Sequence, residues 1–210
     1  MRIFAALITM IVSLAACAQD APATYVEGQH YITLSSPVRT ADKNKVEVTE
    51  LFWYGCGHCF KFEPLALQWE SKAPEYVSFV QSPAMWNGLM ELHARAFYAA
   101  KALNVFDKVH QPLFNKMNLE RDMLKSPEAI FPIFAAAGVN REDFDKAFNS
   151  FSVSSQVKQA NARARGYKIT GTPSMVVDGR YRVSTREAGG HVQMLKIVDF
   201  LVEKVRAERG

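Results

Sequence analysis

The chain has 210 residues and a formal net charge of +4, and 49% of its residues are apolar against 22% charged. This balance is typical of a folded globular protein and excludes a disordered or low-complexity chain. The basic residues form no run of five or six, which argues against nucleic-acid binding. The three cysteines, Cys17, Cys56 and Cys59, are too few for a disulfide-stapled scaffold or a zinc site of four cysteines.

Residues 1–18 have the layout of an export signal. Arg2 supplies a positive charge, residues 3–14 are almost wholly apolar, and small residues follow. The segment is too short to span a bilayer as a helix, so it is excluded from the predicted fold.

Two cleavage sites compete at the end of this signal. Ala16-Cys17-Ala18 fits ordinary cleavage before Gln19, whereas Leu14-Ala15-Ala16-Cys17 resembles a bacterial lipobox. We favour the lipobox, after which Cys17 would be the lipidated first residue, and keep ordinary cleavage as the alternative. Both place the mature protein in an oxidising compartment outside the cytoplasm.

Five segments of the mature chain have strand patterns, either alternating or wholly apolar: residues 31–34, 46–53, 77–80, 174–177 and 181–183. Asp178-Gly179 predicts a hairpin turn between the last two. A helix is predicted over residues 56–71, and Pro64 is expected to kink or split it. The strand–helix–strand order predicts a parallel pair, so the sheet should be mixed.

Residues from about 88 to 165 lack strand alternation and predict a run of helices. Ser126-Pro127-Glu128 is a helix start, Asn140 should cap the next helix, and Ser154 or Ser155 should open another that ends at Gly166. A final amphipathic helix is predicted over residues 192–206. The pattern indicates an α/β protein whose mixed sheet is interrupted by a helical insertion.

The residues with the strongest chemical signal are Cys56-Gly57-His58-Cys59, which follow a buried strand and open a helix. Helical residues three apart have Cα atoms roughly 5 Å apart, within the range of a disulfide. The helix N-terminus should stabilise the Cys56 thiolate and lower its pKa, with His58 adding a donor and Cys59 acting as the resolving thiol. Because a stable thiolate stabilises the reduced protein, the disulfide should be an oxidant.

Two alternatives to redox chemistry are weaker. A structural disulfide at this spacing would close a very small loop and stabilise little. A metal site would need more ligands, and the other histidines are scattered along the sequence: His30, His93, His110 and His191.

Four stretches carry a family resemblance: residues 31–37, 50–59, 149–151 and 171–181. They resemble the DsbA family of bacterial periplasmic thiol oxidases, within the thioredoxin superfamily, and the resemblance covers residues from about 25 to 207. It implies a thioredoxin fold, a mixed β-sheet flanked by helices, with an inserted helical domain. The implied division is 1–18 for the signal, 19–84 and 167–210 for the two thioredoxin-fold parts, and 85–166 for the insertion.

The resemblance also assigns site residues. Cys56 would be the nucleophile, Pro173 a cis-proline facing the disulfide, and the Thr172 backbone would pair with an incoming peptide. The dipeptide between the cysteines, Gly57-His58, departs from the Pro-His that is common in the family. It is similar to the dipeptide of protein disulfide isomerase, a weaker oxidant. Since His58 is kept, we still expect the disulfide to be an oxidant. Because of Gly57, the sequence does not predict the value of its redox potential.

Two glutamates near the pair receive different predictions. Glu50 shares a strand face with apolar residues, so it should be buried near the redox pair with a raised pKa, where it could carry protons or bias Cys59; a partly solvated glutamate is the alternative. Glu63 lies seven residues after Cys56, roughly on its helix face, and is expected to be a solvated partner, with a catalytic role as the alternative.

The function expected from this sequence is donation of the Cys56–Cys59 disulfide to folding secreted polypeptides in the periplasm. We expect no other cofactor, no metal and no nucleic acid, a monomer, and reoxidation by a DsbB-type membrane quinone oxidoreductase; the membrane would be contacted only through a lipid on Cys17. The alternatives are a disulfide reductase or isomerase, a thiol donor for cytochrome or copper-site maturation, and a peptide-binding chaperone with an incidental redox pair.

Overall fold

The structure is a computed structural model that describes residues 25–210. The predicted export signal and the Cys17 lipidation site lie outside these residues. Within residues 25–210, no helix has both the length and the apolar character needed to cross a membrane.

The described chain contains a five-stranded mixed sheet in the order β1-β5-β4-β2-β3. The strands are β1 Ile32–Thr33, β2 Val46–Phe52, β3 Val77–Pro83, β4 Ser174–Val177 and β5 Tyr181–Ser184. The pair β2–β3 is parallel and the other pairs are antiparallel, which confirms the predicted mixed sheet. Asp178 and Gly179 both have positive φ in the β4–β5 turn, as a tight hairpin requires.

Strand β3 is three residues longer than its apolar pattern predicts. Gln81 and Ser82 are polar yet buried, and Gln81 pairs in register with Glu50 of β2. The hydrophobic pattern ends at Val80 because the next side chains are polar. The strand continues because tertiary contacts bury these side chains, and a sequence pattern does not show such contacts.

Helices α2 to α6 follow one another between β3 and β4, which confirms the predicted helical run. The helices of the described chain are α1 Gly57–Glu70, α2 Gly88–Ala102, α3 Phe106–Asn118, α4 Pro127–Ala136, α5 Arg141–Phe148, α6 Phe151–Gly166, α7 Thr185–Ala188 and α8 His191–Arg209. We call α2–α6 the helical block.

Two helix predictions need correction. Of the kink or split expected at Pro64, the split does not occur, because α1 is continuous from Gly57 to Glu70 with Pro64 on its exposed side. Water can therefore satisfy the carbonyl that lacks a partner there. Helix α6 does not open at Ser154 or Ser155, because the Ser150 hydroxyl already accepts the Val153 N–H at 3.1 Å and caps the helix.

Helix α7 was absent from the sequence prediction although the sequence carries a signal for it. Ser184 and Glu187 form a reciprocal capping box around its first turn. The helix has only four residues, too few for a periodic apolar pattern.

The buried apolar side chains of residues 25–210 form three separate clusters. One cluster packs the sheet against α1 and α8. A second fills the helical block and includes Phe52, Tyr54 and Cys59, so the redox motif lies where the helical block meets the sheet. The third includes Leu51 of β2 and Ala164 of α6. The domain boundaries at 84/85 and 166/167 stay a prediction.

Two glycines with left-handed φ give a matched test of the packing. A Cβ on Gly179 (φ +62°) would lie 1.9 Å from the Val38 carbonyl oxygen, whereas one on Gly138 (φ +93°) would meet nothing within 4 Å. We expect Gly138→Ala to lower the free energy of unfolding by about 1–2 kcal/mol through backbone strain alone. Gly179→Ala should cost at least about 1 kcal/mol more because of the clash. Urea unfolding checks both, and equal losses would contradict the close approach of Val38.

Candidate active site

Cys56 lies at the junction of β2 and α1. Strand β2 ends at Phe52, and Cys56 is the extended N-cap residue of α1, with φ −92° and ψ 112°. Its Sγ accepts the Cys59 N–H at 3.4 Å. Both cysteines are free, so the structure represents the reduced form. Cys56 is half-buried and Cys59 is fully buried, which leaves Cys56 as the sulfur that a substrate can reach.

A loop distant in sequence faces this pair. The Thr172–Pro173 peptide bond is cis, as the resemblance implies. The Cys56 thiol donates to the Thr172 carbonyl at 3.4 Å. Beside this contact runs a groove of about 600 Å³, and its lining includes His58, Pro173 and Arg186. The predicted residues Cys56, His58, Thr172 and Pro173 are therefore brought together.

The two sulfur atoms have opposite pKa shifts. The pKa of Cys56 is lowered to about 5, chiefly by a hydrogen bond from the Cys59 side chain and further by Thr172 and by the backbone N–H groups of Cys59 and His58; partial burial opposes this. The pKa of Cys59 is raised well above its usual value, first by burial and then by its contact with Cys56. At neutral pH the pair is therefore a thiolate at Cys56 and a thiol at Cys59.

The prediction that Glu50 is buried with a raised pKa is confirmed. Its side chain is inaccessible to solvent. Burial, followed by the charge of Glu63, raises its pKa to about 8, and the Cys56 thiolate adds to the increase. A hydrogen bond from Gln81 opposes these effects. Glu50 therefore holds its proton at neutral pH.

The prediction that Glu63 is solvated is wrong. The residue is only 1% exposed, because its face of α1 turns toward β3 and α3. Its carboxylate accepts hydrogen bonds from Gln81 Nε2 at 2.9 Å and from His110 Nε2 at 3.0 Å. Sequence reasoning missed both partners. The register of a parallel β2–β3 pair, which places Gln81 beside Glu50, could have indicated Gln81, but nothing local indicates His110.

A second histidine also lies near the redox motif. The ring of His191, at the start of α8, lies 6.2 Å from that of His58, centroid to centroid. Burial lowers the pKa of His191, while the Cys56 thiolate acts in the opposite direction. The histidines are thus less scattered in space than in sequence. Even so, no group of three or more potential metal ligands forms anywhere in residues 25–210.

This arrangement defines a class of protein. A reachable cysteine with a lowered pKa, a buried partner cysteine one helical turn later and a facing cis-proline on a mixed sheet characterise the thiol:disulfide oxidoreductases of thioredoxin fold.

Comparison with known proteins identifies the family. Residues 70–194 match the family model of the DSBA-like thioredoxin domain. The thiol:disulfide interchange protein DsbA of Pseudomonas aeruginosa is 40% identical over 183 residues, covering 87% of each chain. That of Azotobacter vinelandii is 40% identical over 186 residues, 89% of this chain and 87% of the relative.

Solved structures agree with these relatives. The crystal structure of Pseudomonas aeruginosa DsbA superposes with a TM-score of 0.84 at 40% identity, over 88% of this chain and 96% of that one. The oxidoreductase DsbA of Xylella fastidiosa gives a TM-score of 0.82 at 30% identity, over 87% and 98%. The chain belongs to the DsbA family and is a thiol:disulfide oxidoreductase.

The hydrogen bond from Cys59 makes a testable contribution to the Cys56 pKa. In the reduced protein, thiolate absorbance at 240 nm should rise with a midpoint near pH 5. Cys59→Ala should raise this midpoint by about one unit because it removes the largest stabilising contact. Cys59→Ser, which keeps a donor, should raise it less. Cys56→Ser should show no step below pH 8, and a wild-type midpoint at the ordinary thiol value would contradict the assignment.

Proposed function

We propose that the protein is a dithiol oxidase that transfers its Cys56–Cys59 disulfide to folding secreted polypeptides. The observation that carries this proposal is the pKa of Cys56, lowered to about 5 at a sulfur that substrates can reach. A thiolate at neutral pH stabilises the reduced protein and is a good leaving group. Both properties drive electrons from substrate thiols to the protein.

The transfer proceeds in two exchanges. A substrate thiolate attacks Cys56 Sγ, the Cys56–Cys59 bond breaks, and its electron pair stays on Cys59, which takes up a proton. A second substrate thiolate then attacks the substrate sulfur of the mixed disulfide and releases Cys56 as a thiolate. Two electrons pass from the substrate dithiol to the protein. The substrate dithiol loses two protons in all. The reduced protein gains one, on Cys59, and the other is released to solvent.

Glu50 is the proposed source of the proton for Cys59. It is protonated at neutral pH and lies close enough to Cys56 for the thiolate to raise its pKa. Its Oε1 accepts no hydrogen bond from any described residue, which leaves that oxygen free to carry the proton. A buried thiolate at Cys59 is unfavourable, so a nearby proton donor speeds the first exchange.

The peptide segment around the substrate cysteine is proposed to lie along the groove beside Thr172 and Pro173. Extended peptides commonly bind by adding backbone hydrogen bonds to an exposed strand or loop. A Proteus mirabilis DsbA structure, 29% identical to this chain over 87% of its length, contains a non-covalently bound peptide. The relative thus supports peptide binding, and the groove next to Cys56 is the site we assign to it.

The partners and the compartment follow from the family and the export signal. We propose that the mature protein works in the periplasm and is reoxidised by a DsbB-type membrane quinone oxidoreductase, with no cofactor besides its own disulfide. Membrane attachment would depend on a lipid on Cys17. The mass of the mature N-terminus separates a lipidated Cys17 from cleavage before Gln19.

The remaining alternatives are reduction, isomerisation, thiol donation for cytochrome or copper-site maturation, and chaperone activity without redox chemistry. The opposed pKa values of Cys56 and Cys59 favour oxidation over the first three, because a stable reduced form donates electrons poorly. A chaperone without redox chemistry would not need two cysteines with opposed pKa values.

Transfer to a substrate tests the proposal. The oxidised mature protein, mixed with an equimolar reduced and unfolded secreted polypeptide containing two cysteines, should convert it to the disulfide form. Cys56→Ser should abolish this reaction. For Cys59→Ala, we expect a substrate whose cysteine has been activated as a mixed disulfide to accumulate on Cys56, because the resolving thiol is absent. Mass spectrometry of acid-quenched samples follows each species.

Two outcomes would contradict the oxidase proposal. One is that the wild-type protein leaves the substrate reduced but reduces its disulfide form, as a reductase does. The other is that Cys56→Ser retains full activity in assisting substrate folding, as a chaperone would.

A further inference from the structure

A cluster of buried polar side chains connects the Glu50 carboxyl group to the helical block. The cluster consists of Glu50, Gln81, Glu63, His110 and Tyr54, and none of these residues is more than 8% exposed. Gln81 Nε2 donates to Glu50 Oε2 at 3.0 Å and to Glu63 Oε2 at 2.9 Å. His110 Nε2 lies 3.0 Å from Glu63 Oε1, and its Nδ1 lies 2.7 Å from the Tyr54 hydroxyl. We call this set the buried polar cluster.

The Gln81 amide has no spare donor. Its nitrogen carries two N–H groups, and one is directed to each carboxyl group. Rotation of the amide would leave a buried carboxyl oxygen without its partner, which is unfavourable. The orientation of Glu63 therefore fixes Gln81, and Gln81 in turn fixes the hydrogen bond at Glu50.

His110 fixes Glu63 from the other side. An ionised carboxylate only accepts, so the Nε2–H of His110 donates to Glu63 while Nδ1 faces the Tyr54 hydroxyl. Aromatic rings surround the imidazole with centroids 4.5 to 6.1 Å away: Phe52, Phe97, Phe106 and Phe114. Packed in this way, the ring cannot turn away from Glu63.

The charges around Glu50 make this hydrogen bond consequential. Glu63, the Cys56 thiolate and Glu70 all raise the pKa of Glu50, in addition to burial, whereas the Gln81 hydrogen bond lowers it. No cation of the described chain is among the groups that act on the pKa of Glu50, and Lys101 lowers the pKa of Glu70. The residues that hold Gln81 in place therefore control the one hydrogen bond that lowers the pKa of Glu50.

We propose that His110 is a positioning residue for the redox reaction: it holds Glu63, which holds the Gln81 amide on Glu50. Through this contact the helical block governs when Glu50 gives up its proton. The inference rests on the proposed role of Glu50 as the proton donor to Cys59. It assigns a function to a histidine of α3 that touches neither cysteine.

The test is a site-specific titration of Glu50 in the reduced mature protein by carboxyl ¹³C NMR, with Glu50→Gln used to assign the signal. His110→Phe fits the aromatic surroundings and removes both hydrogen bonds. It should move the Glu50 midpoint upward by about 0.7 pH unit, roughly fivefold in the proton equilibrium, because Gln81 is no longer held. His110→Gln keeps a donor toward Glu63 and should move it by less than half as much.

His93→Gln is the matched control. His93 is also a buried histidine of the helical block, but it bonds to Trp53 Nε1 and to the Met123 carbonyl, outside the buried polar cluster. The Glu50 midpoint should be unchanged in this variant. A shift equal to that of His110→Phe would show a general loss of packing and would overturn the proposal.

A double-mutant cycle tests the route through Glu63. In a Glu63→Gln background, His110→Phe should move the Glu50 midpoint no further, because the link is already broken. An equal shift in both backgrounds, or an unchanged or lower midpoint in His110→Phe alone, overturns the proposal. Should His110→Phe fail to fold, Tyr54→Phe removes the hydroxyl that contacts His110 Nδ1 and should give a smaller upward shift of the Glu50 midpoint. An unchanged midpoint in Tyr54→Phe would then overturn the proposal.

This experiment and the substrate-oxidation assay fail independently. The titration reads the Glu50 proton directly and needs no substrate. A protein that proves to be a reductase could still show the predicted coupling, and an oxidase could lack it.

Discussion

The redox chemistry of this fold depends on stabilising one negative charge, the thiolate of Cys56 at the N-terminus of α1. The thiolate receives hydrogen bonds from Cys59 and from the Thr172 side chain, and these lower its pKa to about 5. The buried strand β2 delivers Cys56 to this position, and the chain returns 116 residues later to place Thr172 against it. A weaker stabilisation of this charge would leave the same fold with a less oxidising disulfide, because the potential reports the relative stability of the reduced form.

The helical block contributes more than a cover for the redox pair. Asn118 at the end of α3 donates to the Tyr54 carbonyl at 2.8 Å, which ties the loop before Cys56 to the helices. Cys59 itself packs into the apolar cluster of the block, and this burial is the main cause of its raised pKa. The difference in pKa between the two sulfur atoms thus has two causes: hydrogen bonds, chiefly from the Cys59 side chain, lower the pKa of Cys56, and burial where the sheet meets the helices raises that of Cys59.

Local sequence features predicted most of the fold and the sulfur chemistry. The Cys56-Gly57-His58-Cys59 motif, the buried strand before it and the Asp178-Gly179 turn are encoded over a few neighbouring residues. Glu63, Gln81 and His110 could not be recognised in this way, because their burial results from α1, β3 and α3 packing together. Glu50 was correctly predicted to be buried since its apolar strand neighbours belong to the same segment. Ser150 was missed as a cap because Ser154 and Ser155 offer equivalent side chains nearby, and only the end of α5 at Phe148 selects among them.

The measurement that tests the central claim most directly is the equilibrium potential of the Cys56–Cys59 pair in glutathione buffers. We expect a value near the strongly oxidising end of the thioredoxin superfamily, about −120 mV, because the Cys56 thiolate stabilises the reduced protein. The potential of Gly57→Pro is a useful second measurement. Gly57 is the first residue of α1, where proline is tolerated, and the nearest atom to a Cβ at this position would be Asn118 Oδ1 at 3.8 Å. A wild-type potential near the thioredoxin value of about −270 mV would contradict the account, because it would mean that stabilisation of the thiolate does not make this disulfide an oxidant.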